Sequence, residues 1–331
     1  MSMDISQVPE LVDNTGYPLL IEGYDSVPLV YPLVADVQPV DGDKLYGTKG
    51  SVITGMGELK PRLDGAEFER DQFRSGPTWY MKTHQWGSAF EIPDRMLKAT
   101  DAAARVEGLI RSQVASWGRS TAMKKDRWFA DFLQQGTLTA GNAAYFDGSF
   151  PNNDDPNPKF VYDGLPLFDT AHTITIGSST YANHAVSSSL TKANLETAVR
   201  TCETTNAVDE RGEGMLVNID RLMVPPALRE TALTIVGSEL LPGSANNDIN
   251  TARGSVQVIV NRWLDDAASA SAWWLFDSGM GSIKVFDSGQ PVIVTTHIPE
   301  RNVTLVTAET YFGVVAAQAF RGTYCANKAA S

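Results

Sequence analysis

Hydrophobic residues recur at three- and four-residue spacings along one long segment in the first half of the chain. Between 93 and 135, the apolar positions on one side are Val106, Ile110, Val114, Trp117, Trp128 and Phe132. This period is that of one face of an α-helix. Pro93 suits a first helical position and Gly136 a stop. The pattern predicts a long amphipathic helix over 93–135, with Gly108 and Gly118 as candidate bend points.

Two strand-like segments flank a charged insertion just before that helix. Residues 44–54 and 77–92 are rich in aromatic and β-branched side chains, as strands are. Residues 54–77 between them hold nine charged residues in 24. The pattern predicts a long two-stranded hairpin that projects from the body. Because an isolated hairpin is marginally stable in water, we expect it to lie on a partner surface.

The first 40 residues contain five prolines and many apolar side chains, which need to be buried against another surface. The prolines are Pro9, Pro18, Pro28, Pro32 and Pro39. Since proline fixes φ and removes a backbone donor, we expect an extended arm without compact elements. Its leucines, valines and Ile21 predict that the arm lies against its own domain or a neighbour.

The remainder of the chain alternates irregularly between helical and strand-like patterns. Helices are predicted over 190–206, with Thr191 as N-cap, and over 227–241. Strands are predicted over 215–224, 256–260, 273–276, 283–286, 291–296, 303–306 and 311–321. Because strands and helices do not alternate as in a βαβ chain, the predicted fold class is α+β.

The net charge of the chain and its distribution exclude some classes of function. The chain has 331 residues, with 27 Lys and Arg against 39 Asp and Glu, and a net charge of −12. This balance excludes a general nucleic-acid binder and docking on an anionic membrane. Met1–Asp43 holds eight acidic residues and no Lys or Arg, whereas 93–135 has a net charge of +3. We therefore expect arm and helix to attract each other.

Composition places the chain among ordinary globular proteins. Its 43% hydrophobic content excludes wholesale disorder. Two cysteines make no disulfide framework. No apolar run is long enough for a bilayer, and no signal-peptide pattern is present. We expect a soluble chain made in the cytoplasm, without membrane contact.

The candidate chemistry is sparse. No phosphate-binding glycine motif occurs, and the four histidines are too scattered for a metal cluster. Asp169 lies three residues before His172 and could orient its imidazole, as in a hydrolase, although a polar turn is the simpler interpretation. Trp273-Trp274 could be a stacking platform, or core plus one interface residue. No catalytic, cofactor or metal site is predicted.

Several sequence strings together resemble a known family. They are LPLFDTAHT (165–173), ANLETAV (193–199), the disordered-looking turn DERGEG (209–214), LMVPPALRETA (222–232), VIVNRWLDD (258–266) and AWWLFDS (272–278). In order and spacing these strings resemble the major capsid proteins of tailed bacteriophages, with the HK97-type fold, and most closely the Mu-like major head subunits. The arm, hairpin and long helix match that family in architecture only.

The resemblance implies a division of the chain. It would comprise an N-terminal arm (1–35), an E-loop hairpin (36–92), a peripheral domain with a spine helix (93–189), an axial domain (190–282), a peripheral return (283–310) and an axial C-terminal strand (311–331). Candidate intersubunit contacts are the charged hairpin residues and two tryptophans near its base: Glu58, Lys60, Arg62, Glu67, Arg70, Asp71, Arg74, Trp79 and Trp86.

By the same resemblance, the chain would be a structural protein and no enzyme. Copies would form hexamers and pentamers of an icosahedral virion shell that encloses double-stranded DNA without specific binding. Because the chain starts at the arm, a separate scaffold protein is implied, together with a portal, and a decoration protein is a further candidate partner. An encapsulin-like compartment shell on the same fold remains the alternative, followed by the hydrolase with Asp169 and His172.

Overall fold

Two five-stranded β-sheets and one long helix organise the computed structural model of the chain. The structure describes residues 7–40, 47–53, 75–81, 83–99, 102–138, 165–174, 179–240, 249–264, 269–318 and 320–328, with single positions at 42, 45, 62, 64, 67, 161 and 163. The mixture of helices and sheets confirms the predicted α+β class. No helix in these ranges is long and apolar enough to cross a bilayer.

The helices agree with the sequence pattern except in the arm. They are α1 Gln7–Leu11, α2 Tyr17–Asp25, α3 Asp94–Leu97, α4 Ala102–Gln134, α5 Lys192–Arg200 and α6 Arg229–Gly237. The predicted long helix is therefore α4, preceded by the short α3. A π-helical turn, Thr201–Thr205, continues α5. The Thr191 hydroxyl accepts a hydrogen bond from the Asn194 backbone N–H, which confirms the predicted N-cap.

The extended arm predicted from the prolines is wrong. A π-helical turn, Val12–Gly16, joins α1 to α2, so residues 7–25 are helical throughout. Pro18 lies in the first turn of α2, directly after the π-helical turn, and the fixed φ of proline fits the helix there. Proline at this position follows the change from π-helical to α-helical hydrogen bonding and does not end the helical segment.

The first sheet is built around one long strand. Its strands are β1 Asp36–Pro39, β4 His84–Pro93, β11 Ile283–Asp287, β12 Val292–Ile298 and β13 Val303–Ala316. β13 pairs antiparallel with β4 and also with β12 and β11. β1 adds in parallel to β11. The two separate strands predicted over 303–306 and 311–321 are thus one strand of 14 residues, ending at Ala316.

A separate two-stranded ladder precedes β4. β2 Thr48–Ile53 pairs antiparallel with β3 Ser75–Met81, with a bulge between Ser51 and Ile53. This ladder pairs the predicted strand 44–54 with only the first part of the predicted strand 77–92; the second part is β4, which pairs with β13. Most of the hairpin's charged connection lies outside the described residues, and within the 36–92 segment β1 and β4 join the first sheet.

The second sheet has helices on one face and the main core on the other. Its order is β7 His184–Ala185, β14 Thr323–Ala326, β10 Trp273–Phe276, β8 Arg221–Val224 and β9 Gln257–Val260. Two-residue strands β5 His172–Thr173 and β6 Thr180–Tyr181 pair outside it. On β10, Trp274 and Phe276 face a core shared with α4 and the first sheet. Trp273 and Leu275 face the core formed with α5 and α6.

The arm packs on α4 at a crossing of two glycines. A Cβ atom at Gly118 would lie 2.1 Å from the Leu20 carbonyl oxygen, and one at Gly23 would lie 2.4 Å from the Ala115 carbonyl oxygen. Only residues without side chains allow this approach. Gly118, predicted as a bend point, therefore serves as the contact point for the arm.

Candidate assembly surfaces

A buried polar cluster joins the arm, the long helix and the first sheet. The Lys125 ammonium group lies 2.5 Å from Oδ1 of Asp287, at the end of β11, and also contacts the Gly289 carbonyl oxygen. The Tyr31 hydroxyl donates to Oδ2 of Asp287 at 2.6 Å. Asp126 Oδ1 accepts the backbone N–H groups of Val30 and Tyr31. Three segments distant in sequence thus meet at one charge cluster.

Burial governs the titration of this cluster. It lowers the pKa of Lys125, although the Asp287 carboxylate opposes that change. It raises the pKa of Tyr31 and of Tyr24, and the negative charge of Asp287 adds to both shifts. Both tyrosines are therefore neutral at neutral pH.

The arm contacts α4, but not through the attraction between acidic arm residues and basic helix residues that the charge distribution predicts. Asp126 belongs to α4 and binds backbone groups of the arm. Among the ion pairs of the described ranges, none joins an acidic side chain of the arm to a basic side chain of α4. The arm is held by backbone hydrogen bonds, close glycine packing and the apolar side chains Val8, Val12 and Leu20.

The hairpin is anchored to the first sheet by one aromatic residue. Trp79 is buried with Met81 against Phe286 and Val315, and its ring centroid lies 6.0 Å from that of Phe286. The indole lies over Gly50 on the paired strand, where a Cβ would be 2.0 Å from the ring. Trp79 thus anchors the hairpin within its own chain.

Trp86 lines an open groove of about 280 Å³ between α4 and the first sheet. The Lys124 ammonium group lies 4.5 Å from its ring centroid, a cation–π distance. Trp117 and Trp128 also line the groove. Of the other sequence-predicted contact residues, Arg62 and Glu67 are exposed, whereas Glu58, Lys60, Arg70, Asp71 and Arg74 lie outside the described residues.

An interrupted apolar strip, formed by Val292, Val294 and Leu305, lies among polar side chains on the outer face of the first sheet. Val292 is 56% exposed and Val294 is 45% exposed, and both lie on the β12 face opposite Ile293, which packs against the arm core. Leu305 of β13 is half-buried on the same outer face. The sequence pattern did not single out this strip, because β12 carries valine and isoleucine on both faces.

The two candidate chemical motifs are parts of the core. His172 is fully buried, and its Nδ1 lies 2.8 Å from Asp163 Oδ2. Asp169 instead caps the local turn by accepting the Ala171 backbone N–H. The Asp169–His172 pair is therefore wrong. Trp273 and Trp274 are both fully buried, so neither is an interface residue.

The turn 209–214, which looked disordered in sequence, is well formed. Asp209 Oδ1 accepts the backbone N–H groups of Arg211 and Glu213, and Val208 bridges to Gly214. Gly212 has φ +84°, which favours glycine. Within the described ranges, no three His, Cys, Asp or Glu residues lie close enough to hold a metal ion.

The chain is similar to known proteins both in sequence family and in structure. Residues 79–326 match the family described as phage capsid protein. The capsid of Ralstonia phage GP4 has a similar structure, with TM-score 0.56 and 13% identity over 91% of this chain and 88% of that one. The capsid of a native GTA particle has TM-score 0.50 and 13% identity over 92% of both chains. No curated protein matches the chain.

Proposed function

The chain belongs to the phage capsid protein family, and from this premise we propose that it forms hexamers and pentamers of an icosahedral shell around double-stranded DNA. It is a structural major capsid protein with the HK97-type fold, and a virion component. The observation that carries this conclusion is the family match, which spans three quarters of the chain. Its family consists of structural capsid proteins, not enzymes.

Finer features are proposals that rest on the sequence strings and the resemblance. We place the chain in the Mu-like subgroup, with an N-terminal arm, an E-loop, a peripheral domain and an axial domain. A scaffold protein, a portal and a decoration protein are proposed partners, and the host cytoplasm is the proposed place of assembly. The net charge of −12 suits a wall that encloses DNA without holding it, because an acidic wall repels phosphate.

Electron microscopy of the purified full-length chain tests the assembly. We expect shells, sheets or tubes, because a capsid subunit carries its own lattice contacts. A stable monomer under all ionic strengths and concentrations would contradict the proposal. Nucleic acid extracted from particles made in infected cells distinguishes a DNA-filled head from an encapsulin-like compartment, which would contain protein cargo.

The hairpin is proposed to lie across a neighbouring subunit. Its base is fixed by Trp79, and its mixed charges suit ion pairs with another copy. The two exposed valines of the strip, Val292 and Val294, offer a small apolar surface for such a contact. Each exposed ion pair contributes only about 0–1 kcal/mol, but the lattice repeats every pair in each subunit.

Reversal of charge in the hairpin is expected to weaken assembly. The variant replaces four basic residues with glutamate: Lys60, Arg62, Arg70 and Arg74. We expect a higher critical concentration and less dependence on salt, measured by light scattering. A matched control exchanges Lys and Arg at the same four positions and keeps every charge. Equal assembly of both variants would exclude these residues from subunit contacts.

A further inference from the structure

The helices of the arm carry exposed acidic side chains that no cation of the same subunit pairs with. These four residues are Glu10, Asp13, Glu22 and Asp25. No ion pair of the described ranges includes any of them, and the first 43 residues hold no Lys or Arg. Exposed acids elsewhere do pair, as Glu239 does with Arg253 and Glu91 with Arg301, both at 2.8 Å. The unpaired acids are therefore a feature of the arm.

The acids of α2 lie on the side of that helix away from α4. Leu20 is fully buried in the core cluster that α4 shares with the arm. An α-helix turns by about 100° per residue, so Glu22 and Asp25 are rotated roughly 140–160° around α2 from Leu20. Both are exposed. Their carboxylates therefore face away from the helix on which their own arm packs.

A basic face runs along the exposed side of α4, and it consists of Arg105, Lys124 and Arg127. These residues lie roughly 120–180° around the helix from Gly118, where the arm crosses. Lys124 and Arg127 lie 4.5 Å and 5.9 Å from the ring centroids of Trp86 and Trp263. Contacts with aromatic rings orient a cation but do not neutralise it. The face therefore keeps three positive charges.

Other charges of α4 do not cancel this face. Glu107 pairs with Arg111 at 2.8 Å. Asp126 is buried and binds backbone groups of the arm. The remaining exposed base, Arg119, lies beside the arm, because a Cβ at Gly23 would be 3.4 Å from its backbone nitrogen. No acid thus shares the exposed face between Arg105 and Arg127.

We propose that the exposed acids of the arm of one subunit lie against the basic face of α4 in a neighbouring copy of this chain. The two faces lie on different sides of one subunit, so the contact is head-to-tail, and such contacts build rings or extended lattices. At about 1.5 Å per residue, the arm acids extend over ~22 Å and the α4 bases over ~33 Å, so one arm fits along the face. The inference rests on the proposed shell assembly and names one of its contacts.

The arm acids favour a second copy of the chain over DNA as the partner of this face. The phosphates of DNA would also fit a basic face, but they offer no cation to the carboxylates of the arm. A second copy supplies both charges, since every subunit carries an acidic arm and a basic α4. One repeated contact therefore pairs both sets of side chains that are unpaired within the subunit.

Charge reversal on either face of the full-length chain tests the contact. The arm variant is Glu22→Lys/Asp25→Lys, and the helix variant is Arg105→Glu/Arg127→Glu. For each, we expect the critical concentration for assembly without DNA to rise about tenfold, because attractions across every contact become repulsions. Light scattering measures this concentration. All four side chains are exposed, so the circular dichroism and melting temperature of the unassembled chain should change little.

A combined variant separates pairing across the contact from net charge. It carries both reversals, which restores opposite charges on the two faces and the net charge of −12. We expect its critical concentration to return to within about threefold of the original, since interacting sites are not additive. The matched control joins the arm variant to Arg200→Glu/Arg229→Glu, at exposed bases of α5 and α6, and has the same net charge. It is expected to assemble as poorly as the arm variant.

Four results would overturn the contact. Assembly of the arm variant at the original concentration would exclude its acids, and equal recovery in the matched control would leave only net charge as the cause. A melting temperature that falls in both reversals and recovers in the combined variant would place the pairs within one subunit. A loss confined to the helix variant, and seen only when DNA is added, would assign the basic face to DNA. Failure of the unmodified chain to assemble would instead contradict the proposed function.

Discussion

Replacement of Lys125 by methionine is expected to lower the free energy of unfolding by about 3–5 kcal/mol. Lys125 and Asp287 are both buried, at 2% and 6% side-chain exposure, and lie 2.5 Å apart. Methionine fills most of the lysine volume but leaves the Asp287 carboxylate without its cation. An unpaired buried charge costs far more than the intact pair contributes. Chemical denaturation measures the loss.

A second substitution separates charge from packing. Lys125→Met/Asp287→Asn removes the stranded charge, and we expect it to recover part of the lost stability. Tyr31 retains an acceptor in the asparagine side-chain oxygen, so the arm keeps that hydrogen bond. If the double variant is as unstable as Lys125→Met, the stranded carboxylate is not the cause of the lost stability.

Substitution of Gly118 by alanine is expected to displace the arm from the long helix. The new Cβ would lie 2.1 Å from the Leu20 carbonyl oxygen and 2.8 Å from the Tyr24 backbone nitrogen. Both neighbours are backbone atoms of α2, which cannot rotate away as a side chain can. Overpacking usually costs about 1–3 kcal/mol, and we expect a value at the upper end or beyond. Hydrogen exchange of the α2 amides should accelerate in parallel.

The same helix supplies the matched control. Gly108 is exposed, and a Cβ there would meet nothing within 4 Å. Gly108→Ala is expected to stabilise the chain by roughly 0.5–1 kcal/mol, because alanine favours helix more than glycine does. A loss of stability for Gly118→Ala together with a gain for Gly108→Ala would establish that the arm crosses the helix at Gly118. Similar small effects at both positions would show that the arm does not cross the helix at Gly118.

Local patterns made much of the fold predictable. The period of apolar residues located α4, and Val106, Ile110 and Val114 are all fully buried. Thr191 marked the start of α5, and Trp273–Phe276 marked β10 with the bounds observed. These features depend on neighbours within one or two turns of chain, so a single sequence contains the information. The hairpin pairing also follows from adjacent segments.

Contacts between residues distant in sequence could not be predicted from the pattern of apolar and polar residues. Asp287 lies 162 residues from Lys125, and no periodicity links the two. Asp163, nine residues before His172, is its partner, although Asp169 is closer in sequence. The five prolines of the first 40 residues predict an extended arm, but Pro18 lies in the first turn of α2 and is compatible with helix there.

Parallel pairing of β1 with β11 sets an order of events during synthesis. Asp36 pairs with Lys284, and Tyr31 bonds to Asp287, so an early segment made by the ribosome finds its partners among the last. At ~5–20 residues per second, the intervening chain of about 250 residues takes roughly 12–50 seconds to make. Throughout that interval β1 lacks β11, the strand with which it pairs in the first sheet. A nascent chain therefore cannot complete this part of the first sheet before β11 has been made.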